Sequence, residues 1–153
     1  DRKGNPLIFT PEVHLVETGD NLEVTGIRVI KYPIDYYHGD NADNDLVIFR
    51  YADVLLMKAE ALLRSGGDGL AIVNELRAAR NATDLTSLDL DAMLAERGRE
   101  LYWEGWRRQD LVRFGKFLNA WQEKPATTAE RLLFPIPSAA LAGNPNLGQN
   151  PGY

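Results

Sequence analysis

The stretch that decides the fold is residues 46–64, which read LVIFRYADVLLMKAEALLR. Apolar side chains occupy most sides of a helix drawn through this stretch, and four charged residues interrupt them: Arg50, Asp53, Lys58 and Glu60. A helix that is apolar on more than one face is buried on more than one face. The stretch therefore predicts a first helix over 46–64 that packs on several sides.

A short glycine turn separates this helix from a second one. Gly66 and Gly67 are suited to end the first helix in the left-handed conformation, and Asp68 is suited to cap the next helix. The second helix is expected over about 69–80, with apolar side chains on one face. Two antiparallel helices joined by so short a turn form a helical hairpin.

Two further helices are expected downstream. Asp89 is suited to cap a third helix over 90–104, and a fourth is expected over about 107–121. Gly98 lies inside the third helix, where glycine costs about 1 kcal/mol relative to alanine, and Gly105 indicates a kink or a close helix contact. The alanine spacing of the first hairpin is tetratricopeptide-like, although no second full copy recurs at the ~34-residue period of such repeats.

The first 45 residues have the pattern of strands and loops. Runs of β-prone residues lie at 7–9, 13–16 and 24–32, and a turn cluster at 18–21 predicts a β-hairpin between the last two runs. Residues 35–45 have no apolar period and are expected to form an exposed loop.

The last third of the sequence has a different pattern. Pro135 and Pro137 prevent 132–137 from staying helical, so this part is expected to lie as a docked, extended strap. The predicted fold is mainly α, and it is a single domain over 1–153. It has a strand and loop segment at 1–45, tetratricopeptide-like helical hairpins at 46–121, and an extended proline-rich C-terminal strap at 122–153.

Composition excludes several classes of protein. The chain has 153 residues, a formal net charge of −5, no cysteine and two histidines. The absence of cysteine excludes a disulfide scaffold, a thiolate nucleophile and a cysteine-ligated metal site. The acid excess argues against a nucleic-acid binder, and no apolar run reaches the ~18–20 residues of a membrane span. Because the sequence starts at Asp1 without an initiator methionine, we expect a mature piece or a fragment of something longer.

The negative charge is concentrated at one end of the chain. Residues 1–45 hold nine acids and four bases, a balance of −5, whereas residues 46–120 hold eleven of each. A charge-dense but balanced middle is typical of packed helices that are joined by ion pairs.

The densest set of charged residues lies between 96 and 113. Glu96, Glu100 and Glu104 are spaced four residues apart, so they share one helix face. Paired carboxylates are what glycoside hydrolysis uses, but nearby arginines would lower the carboxyl pKa, opposite to what a general acid needs. We therefore predict no catalytic residues here, and a structural ion-pair network formed by Arg97, Glu100, Glu104, Arg107, Arg108, Asp110 and Arg113.

The exposed loop holds four acids that suit calcium: Asp35, Asp40, Asp43 and Asp45. An EF-hand loop starting at Asp43 would need an oxygen donor at Val47 and a glycine at Ile48, so that motif is absent. The sequence also has no phosphate-binding glycine loop and no dinucleotide fingerprint. We expect neither a metal nor a cofactor.

The same loop contains the candidate ligand-binding residues, which are Tyr36, Tyr37, His38 and Asp40. An aromatic face beside polar groups suits a sugar, because the ring packs on C–H groups while the polar groups bind hydroxyls. In the alternative interpretation, both tyrosines pack their rings on the hairpin and keep only their hydroxyls in water. The three tryptophans are predicted to be helix-packing anchors: Trp103, Trp106 and Trp121.

Several motifs in order resemble one family. Residues 50–61 (RYADVLLMKAEA), 96–113 (ERGRELYWEGWRRQDLVR), 134–137 (FPIP) and 144–153 (NPNLGQNPGY) are similar to conserved segments of the SusD/RagB family. Residues 25–32 are similar to the stretch that precedes the RYAD helix in that family. These are surface nutrient-binding lipoproteins of Bacteroidetes-type bacteria.

The resemblance implies a helical glycan-binding component of an outer-membrane uptake system. Such a protein lies on the extracellular face, is held by an N-terminal lipid that this chain lacks, and works with a SusC-like TonB-dependent transporter. It captures oligosaccharides, or other nutrients such as peptides, and is not an enzyme. Family members are several times longer, and their ligand-contacting aromatic residues lie largely upstream of the RYAD helix. The resemblance therefore assigns no binding residue here.

Two other functions stay open at this point. One is a helical-repeat module that binds a protein partner on the concave face of its hairpins. The other is a glycosidase that uses Glu100 and Glu104.

Overall fold

The computed structural model describes residues 4, 6–19, 23–32, 35, 37, 38 and 41–153. The chain is mainly helical in this part, as the sequence predicts. The elements in order are α1 (Tyr51–Arg64), α2 (Leu70–Ala78), α3 (Leu90–Glu100), α4 (Arg107–Arg113), a 3₁₀ helix (Ala129–Leu132) and α5 (Ser138–Gly143). None of the described helices is long and apolar enough to cross a membrane.

The chain divides into two compact units. The first comprises the described residues of 1–46 together with Trp121–Lys124, and the second comprises Val47–Ala120 and Pro125–Tyr153. All five α-helices lie in the second unit, called the helical unit below. The single domain predicted from the sequence, and its tetratricopeptide-like character, stay predictions.

The core of the helical unit is formed where α1 packs on α2 and α3. Ala52, Leu56 and Ala59 form one buried stripe of α1, spaced at the helical period. They meet apolar side chains from α2, α3 and the residue that ends α3, which are Val73, Leu76, Met93 and Leu101. The same face of α1 also buries two carboxylates, so the core requires arginine partners from other helices.

The corner between α1 and α2 is close-packed. Gly66 has a positive φ of 78°, and the Gly67 amide donates to the Leu62 carbonyl at 2.9 Å, which confirms the glycine termination predicted for the first helix. A Cβ added at Gly69 would lie 2.6 Å from the carbonyl oxygen of Ala59. The two backbones therefore approach to a distance that only glycine allows at this position.

The helices are shorter than predicted. The first begins at Tyr51 rather than at residue 46, because Arg50 has an extended backbone with φ −142° and ψ 162°. The third ends at Glu100, and Trp103 and Gly105 follow it with positive φ values. The fourth ends at Arg113. By contrast, the cap predicted at Asp89 is confirmed, since its side chain accepts from the Ala92 amide at 2.7 Å.

The first unit differs from the predicted β-hairpin. The described residues of 6–32 hold an isolated parallel bridge between Thr10 and Thr25 in place of the antiparallel hairpin. The Thr10 amide donates to the Val24 carbonyl at 3.0 Å. Two residues of the predicted turn, Asp20 and Asn21, lie outside the described residues.

Within the C-terminal strap, side chains of the last residues bind the extended part around Ile136. Gln149 accepts from the Ile136 amide at 2.8 Å and donates to the Ile136 carbonyl at 3.0 Å, as a neighbouring strand would. Asn150 donates to the Phe134 carbonyl, and the Tyr153 hydroxyl donates to the Leu133 carbonyl. Residues 133–136 are thus docked on the last residues of the chain, whereas the strap predicted over 122–153 is not extended throughout, because it contains the 3₁₀ helix and α5.

Candidate functional site

The predicted ligand-binding loop is organised around Asp35. Its Oδ1 accepts from the main-chain amides of Tyr37 and His38 at 2.9 and 3.2 Å, and its Oδ2 lies 2.6 Å from Nδ1 of His38. The hydrogen bond with His38 is the main reason why the pKa of Asp35 is lowered. The aspartate thus fixes the backbone of a tight turn.

This turn presents an aromatic ring to solvent. Tyr37 is 96% exposed, and His38 beside it is also exposed. The alternative interpretation, in which the ring of Tyr37 packs on a hairpin, is therefore wrong. Tyr36 and Asp40, the other two predicted contact residues, lie outside the described residues.

The same turn brings together three groups that could hold a metal. One ligand atom each from Asp35, His38 and Asp43 lies within 4.8 Å of the others. Exposed carboxylate groups of this kind are common without an ion. The group therefore assigns no metal site by itself.

A buried ion-pair network joins three helices of the helical unit. Arg97 of α3 donates to Asp53 of α1 at 3.1 Å and to Asp110 of α4 at 2.8 Å. Asp110 also accepts from Arg113, and Arg113 binds both carboxylate oxygens of Glu60 at 2.7 and 2.9 Å. Burial alone would raise the pKa of Glu60, but hydrogen bonds from Arg113 and Arg64 outweigh it and lower that pKa.

A second network fixes the start of α1. Arg50 donates to both carboxylate oxygens of Glu104 at 2.8 and 3.0 Å, and also to the Glu100 side chain. Arg80, two residues after the end of α2, binds Glu100 as well. Burial would raise the pKa of Glu100, yet hydrogen bonds from Arg80 and Arg50 outweigh it and lower that pKa. A low pKa is opposite to what a general acid requires.

Two of the predicted network members have other partners. Arg107 donates to the Leu94 carbonyl at 3.0 Å, and Arg108 donates to the carbonyls of Arg131 and Leu132. Arg108 also lies over the ring of Phe134, 4.0 Å from its centroid. Their predicted role as neutralisers of carboxylates is replaced by contacts with main-chain oxygens.

The tryptophans do not all behave as predicted anchors. Trp106 packs against the core and contacts Phe49, with ring centroids 5.9 Å apart. Trp103 instead is 65% exposed and has a positive φ of 65°. The helix ends at Glu100, which is why the helical period used for the prediction fails at Trp103.

The helical unit also contains a cavity that sequence reasoning missed. It has a volume of about 370 Å³ between α1 and α2. Its lining residues are Arg50, Tyr51, Ala52, Leu55, Glu75, Leu76, Ala79 and Arg80. The one sequence signal for it was Tyr51, an aromatic residue at the edge of the first helix.

Comparison with known proteins gives the family. The sequence model of the SusD family matches residues 16–128. The chain belongs to the SusD family. The match covers α1 to α4 and the loop around Asp35. The predicted ligand-binding loop and the predicted ion-pair network therefore both lie inside the matched region.

Two curated SusD family relatives are each 36% identical to this chain. One is "Starch-binding protein SusD" of Bacteroides thetaiotaomicron, aligned over 126 residues, which are 76% of this chain and 23% of that protein. The other is "SusD-like protein P38" of Formosa agariphila, aligned over 155 residues, which are 88% of this chain and 31% of that protein. This SusD family chain thus spans between 23% and 31% of the length of these relatives.

Solved structures agree with the assignment to the SusD family. "Surface glycan-binding protein A" of Bacteroides thetaiotaomicron superposes with a TM-score of 0.62 at 30% identity, covering 72% of this chain and 26% of that one. The protein of the same name from Bacteroides uniformis superposes with a TM-score of 0.57 at 30% identity, covering 67% of this chain and 26% of that one. The relatives whose names state a role are named as binding proteins rather than as enzymes.

Proposed function

We propose that this chain takes part in glycan capture at the cell surface for nutrient import. The observation that carries the proposal is its membership of the SusD family, together with relatives that are named for binding starch and surface glycans. Because the chain spans a quarter to a third of those relatives, it supplies a share of the binding protein rather than the whole surface.

The loop around Asp35 supports a role in contacting the glycan. It holds the Tyr37 ring in solvent on a turn that three interactions with Asp35 fix. A ring that is exposed before the ligand arrives stacks on a sugar face without first leaving a packed position. Tyr36 and Asp40 complete the proposed contact set with Tyr37 and His38.

The charges of the helical unit support binding rather than catalysis. Glu100 and Glu104 both bind Arg50, and the pKa of Glu100 is lowered. A retaining or inverting glycosidase needs one carboxyl group with a raised pKa as the proton donor. Holding Glu100 ionised removes it from that role, so the proposed protein binds its glycan and leaves it unchanged.

Membership of the SusD family also supports a proposal for the partner and the location. We place the full-length protein on the extracellular face of the outer membrane, held by an N-terminal lipid and seated on a SusC-like TonB-dependent transporter. The packed helices of the helical unit suit this role, because residues on such a scaffold are positioned before a ligand arrives.

A glycan array tests this proposal. The chain, a Tyr37→Ala variant and a Leu15→Ala control are applied to the same immobilised glycans. Leu15 is an exposed apolar residue of the same unit, so the control removes a comparable surface side chain. We expect the chain and the control to bind a shared set of glycans, and Tyr37→Ala to lose most of that signal.

The array also separates two kinds of failure. If the chain binds no glycan at all, the proposed function is contradicted. If Tyr37→Ala binds as well as the chain, the function stands and the contact assigned to this loop is wrong.

A further inference from the structure

The cavity between α1 and α2 has the size and the lining of a sugar-binding site. Its volume of about 370 Å³ falls in the range of small-molecule pockets, roughly 300–1,000 Å³. Four apolar side chains form part of its lining: Ala52, Leu55, Leu76 and Ala79. Tyr51 adds an aromatic ring that is 73% exposed. Apolar and aromatic lining with a few polar groups is typical of ligand sites.

The position of Tyr51 is fixed by its neighbour. Arg50 directly precedes it and is bound to Glu104 and Glu100 of the α3 end. Tyr51 is also the first residue of α1, which packs on both α2 and α3. The ring therefore stands on a rigid part of the molecule, as a preorganised contact residue does.

Three polar groups of the lining remain available to a ligand. Among the described residues, no hydrogen-bond partner is found for the Tyr51 hydroxyl or for the Glu75 carboxylate. Arg80 uses its Nε and Nη2 atoms on Glu100, which leaves Nη1 as a donor within the described part of the chain. One hydroxyl, one acceptor and one planar donor are the groups that bind sugar hydroxyls.

The charge around the cavity selects among glycans. The guanidinium groups of Arg50 and Arg80 are bound to the carboxylates of Glu104 and Glu100, and Glu75 adds a carboxylate to the lining that has no ion-pair partner among the described residues. Two cations against three anions give a local excess of negative charge. A uronate or a sulfated sugar would be repelled, whereas an uncharged pyranose would not.

We propose that this cavity is a second binding position for a neutral glycan, with Tyr51 as the stacking ring and Glu75 and Arg80 as hydroxyl partners. This inference rests on the proposed glycan-binding function. It adds a contact on the helical unit to the contact that we assign to the Tyr37 loop.

Titrations followed by amide NMR test the inference. The ¹⁵N-labelled chain is titrated with maltoheptaose, cellohexaose and xylohexaose, which are neutral, and with tetragalacturonate, which is anionic. We expect at least one neutral oligosaccharide to shift the amides of Ala52, Leu55 and Ala79, and we expect tetragalacturonate to shift none of them. No shift at these amides with any neutral probe overturns the inference, as does a preference for the anionic one.

Variants then assign the contacts. We expect Tyr51→Ala and Glu75→Gln to weaken binding at the cavity by about tenfold each, and Tyr51→Phe to keep most of the affinity. Lys58→Ala is the control, because Lys58 is an exposed residue of the same helix that does not line the cavity. Equal affinities for Tyr51→Ala and Lys58→Ala would overturn the role of the ring.

The result of the NMR titrations can be told apart from the result of the glycan array. An array signal without shifts at the cavity leaves the proposed function standing and removes only the second position. A silent array together with absent shifts contradicts both.

Discussion

Arg97 and Asp110 form a buried ion pair, with the Arg97 Nε donating to the Asp110 Oδ2 at 2.8 Å and both side chains no more than 2% exposed. The other end of the guanidinium binds Asp53, which is equally buried. One arginine thus compensates two carboxylates that come from α1 and α4. The relative positions of these helices depend on it, because an unpaired charge at such a depth is costly.

Replacing Arg97 by leucine should therefore destabilise the chain strongly. The substitution leaves Asp53 without its arginine and Asp110 with Arg113 alone. We expect the free energy of unfolding in urea to fall by about 3–5 kcal/mol. The matched control is Arg99→Leu, two residues along the same helix, where the side chain is 55% exposed and its partner Glu96 keeps a second arginine, Arg77, so that we expect a loss of about 0–1 kcal/mol. Equal losses for the two variants would contradict a buried network.

Acid should weaken the fold through Glu60 and Glu100. The pKa of each carboxyl is lowered in the folded chain, so each contributes stability above its unfolded pKa of about 4.3 and loses it as the pH falls through the lower folded pKa. We expect the free energy of unfolding to change little between about pH 7 and 5 and to fall below about pH 4.

A variant attributes this pH dependence to one group. Glu100→Gln should be less stable than the chain at neutral pH, and the difference should narrow as the pH is lowered, since the native carboxylate is then protonated. Urea titrations at several pH values measure this difference in the free energy of unfolding. A difference that stays constant down to about pH 3 would show that Glu100 has an ordinary pKa.

Replacement by alanine should lower the free energy of unfolding at Gly69 and change it little at Gly98. At Gly69 an added Cβ would lie 2.6 Å from the Ala59 carbonyl oxygen, so the α1–α2 backbones must separate and we expect a loss of about 1–3 kcal/mol. At Gly98 it would meet the end of the flexible Arg107 side chain, also at 2.6 Å. That side chain can move, and alanine gains about 1 kcal/mol of helix propensity, so Gly98→Ala should lie within about 1 kcal/mol of the chain. Thermal or urea unfolding distinguishes them, and an equal response would contradict the close crossing at Gly69.

The strap should loosen when Gln149 is removed. Gln149→Ala deletes both hydrogen bonds to Ile136, and we expect a loss of about 1–2 kcal/mol with faster hydrogen exchange at the Ile136 amide. Gln109→Ala is the control, because this exposed glutamine has no hydrogen bond within the described residues. Unchanged protection of Ile136 would show that Gln149 does not hold the strap.

The helices and their caps could be predicted because they depend on local pattern. The apolar period marks α1 to α4, the glycines at 66 and 67 mark the end of the first, and Asp89 marks the start of the third. Each of these signals depends only on residues that are close together in the chain, so it can be read from a single sequence.

The helix boundaries could not be predicted because they depend on distant contacts. Arg50 lies inside an apolar run, yet its backbone is extended and its side chain binds Glu100, the last residue of α3, and Glu104, which follows that helix. Trp103 continues a helical pattern but lies in a left-handed turn. Tertiary contacts override local periodicity at both positions.

The candidate site was predicted only in part for the same reason. Aromatic and polar residue types made Tyr37 and His38 candidate contact residues, but composition did not specify the turn in which Asp35 anchors them. The cavity beside Tyr51 is formed by α1 and α2 together, with Arg80 held by Glu100. No local motif encodes that meeting of three helices.

The most direct test of glycan binding without catalysis is one equilibrium-binding experiment in which the glycan is recovered and analysed. The chain is incubated with the glycan that gives its strongest array signal, and the bound and free fractions are separated and examined by chromatography. We predict saturable binding and complete recovery of the glycan at its original length. Absence of binding, or shortened products that increase with time, would contradict it.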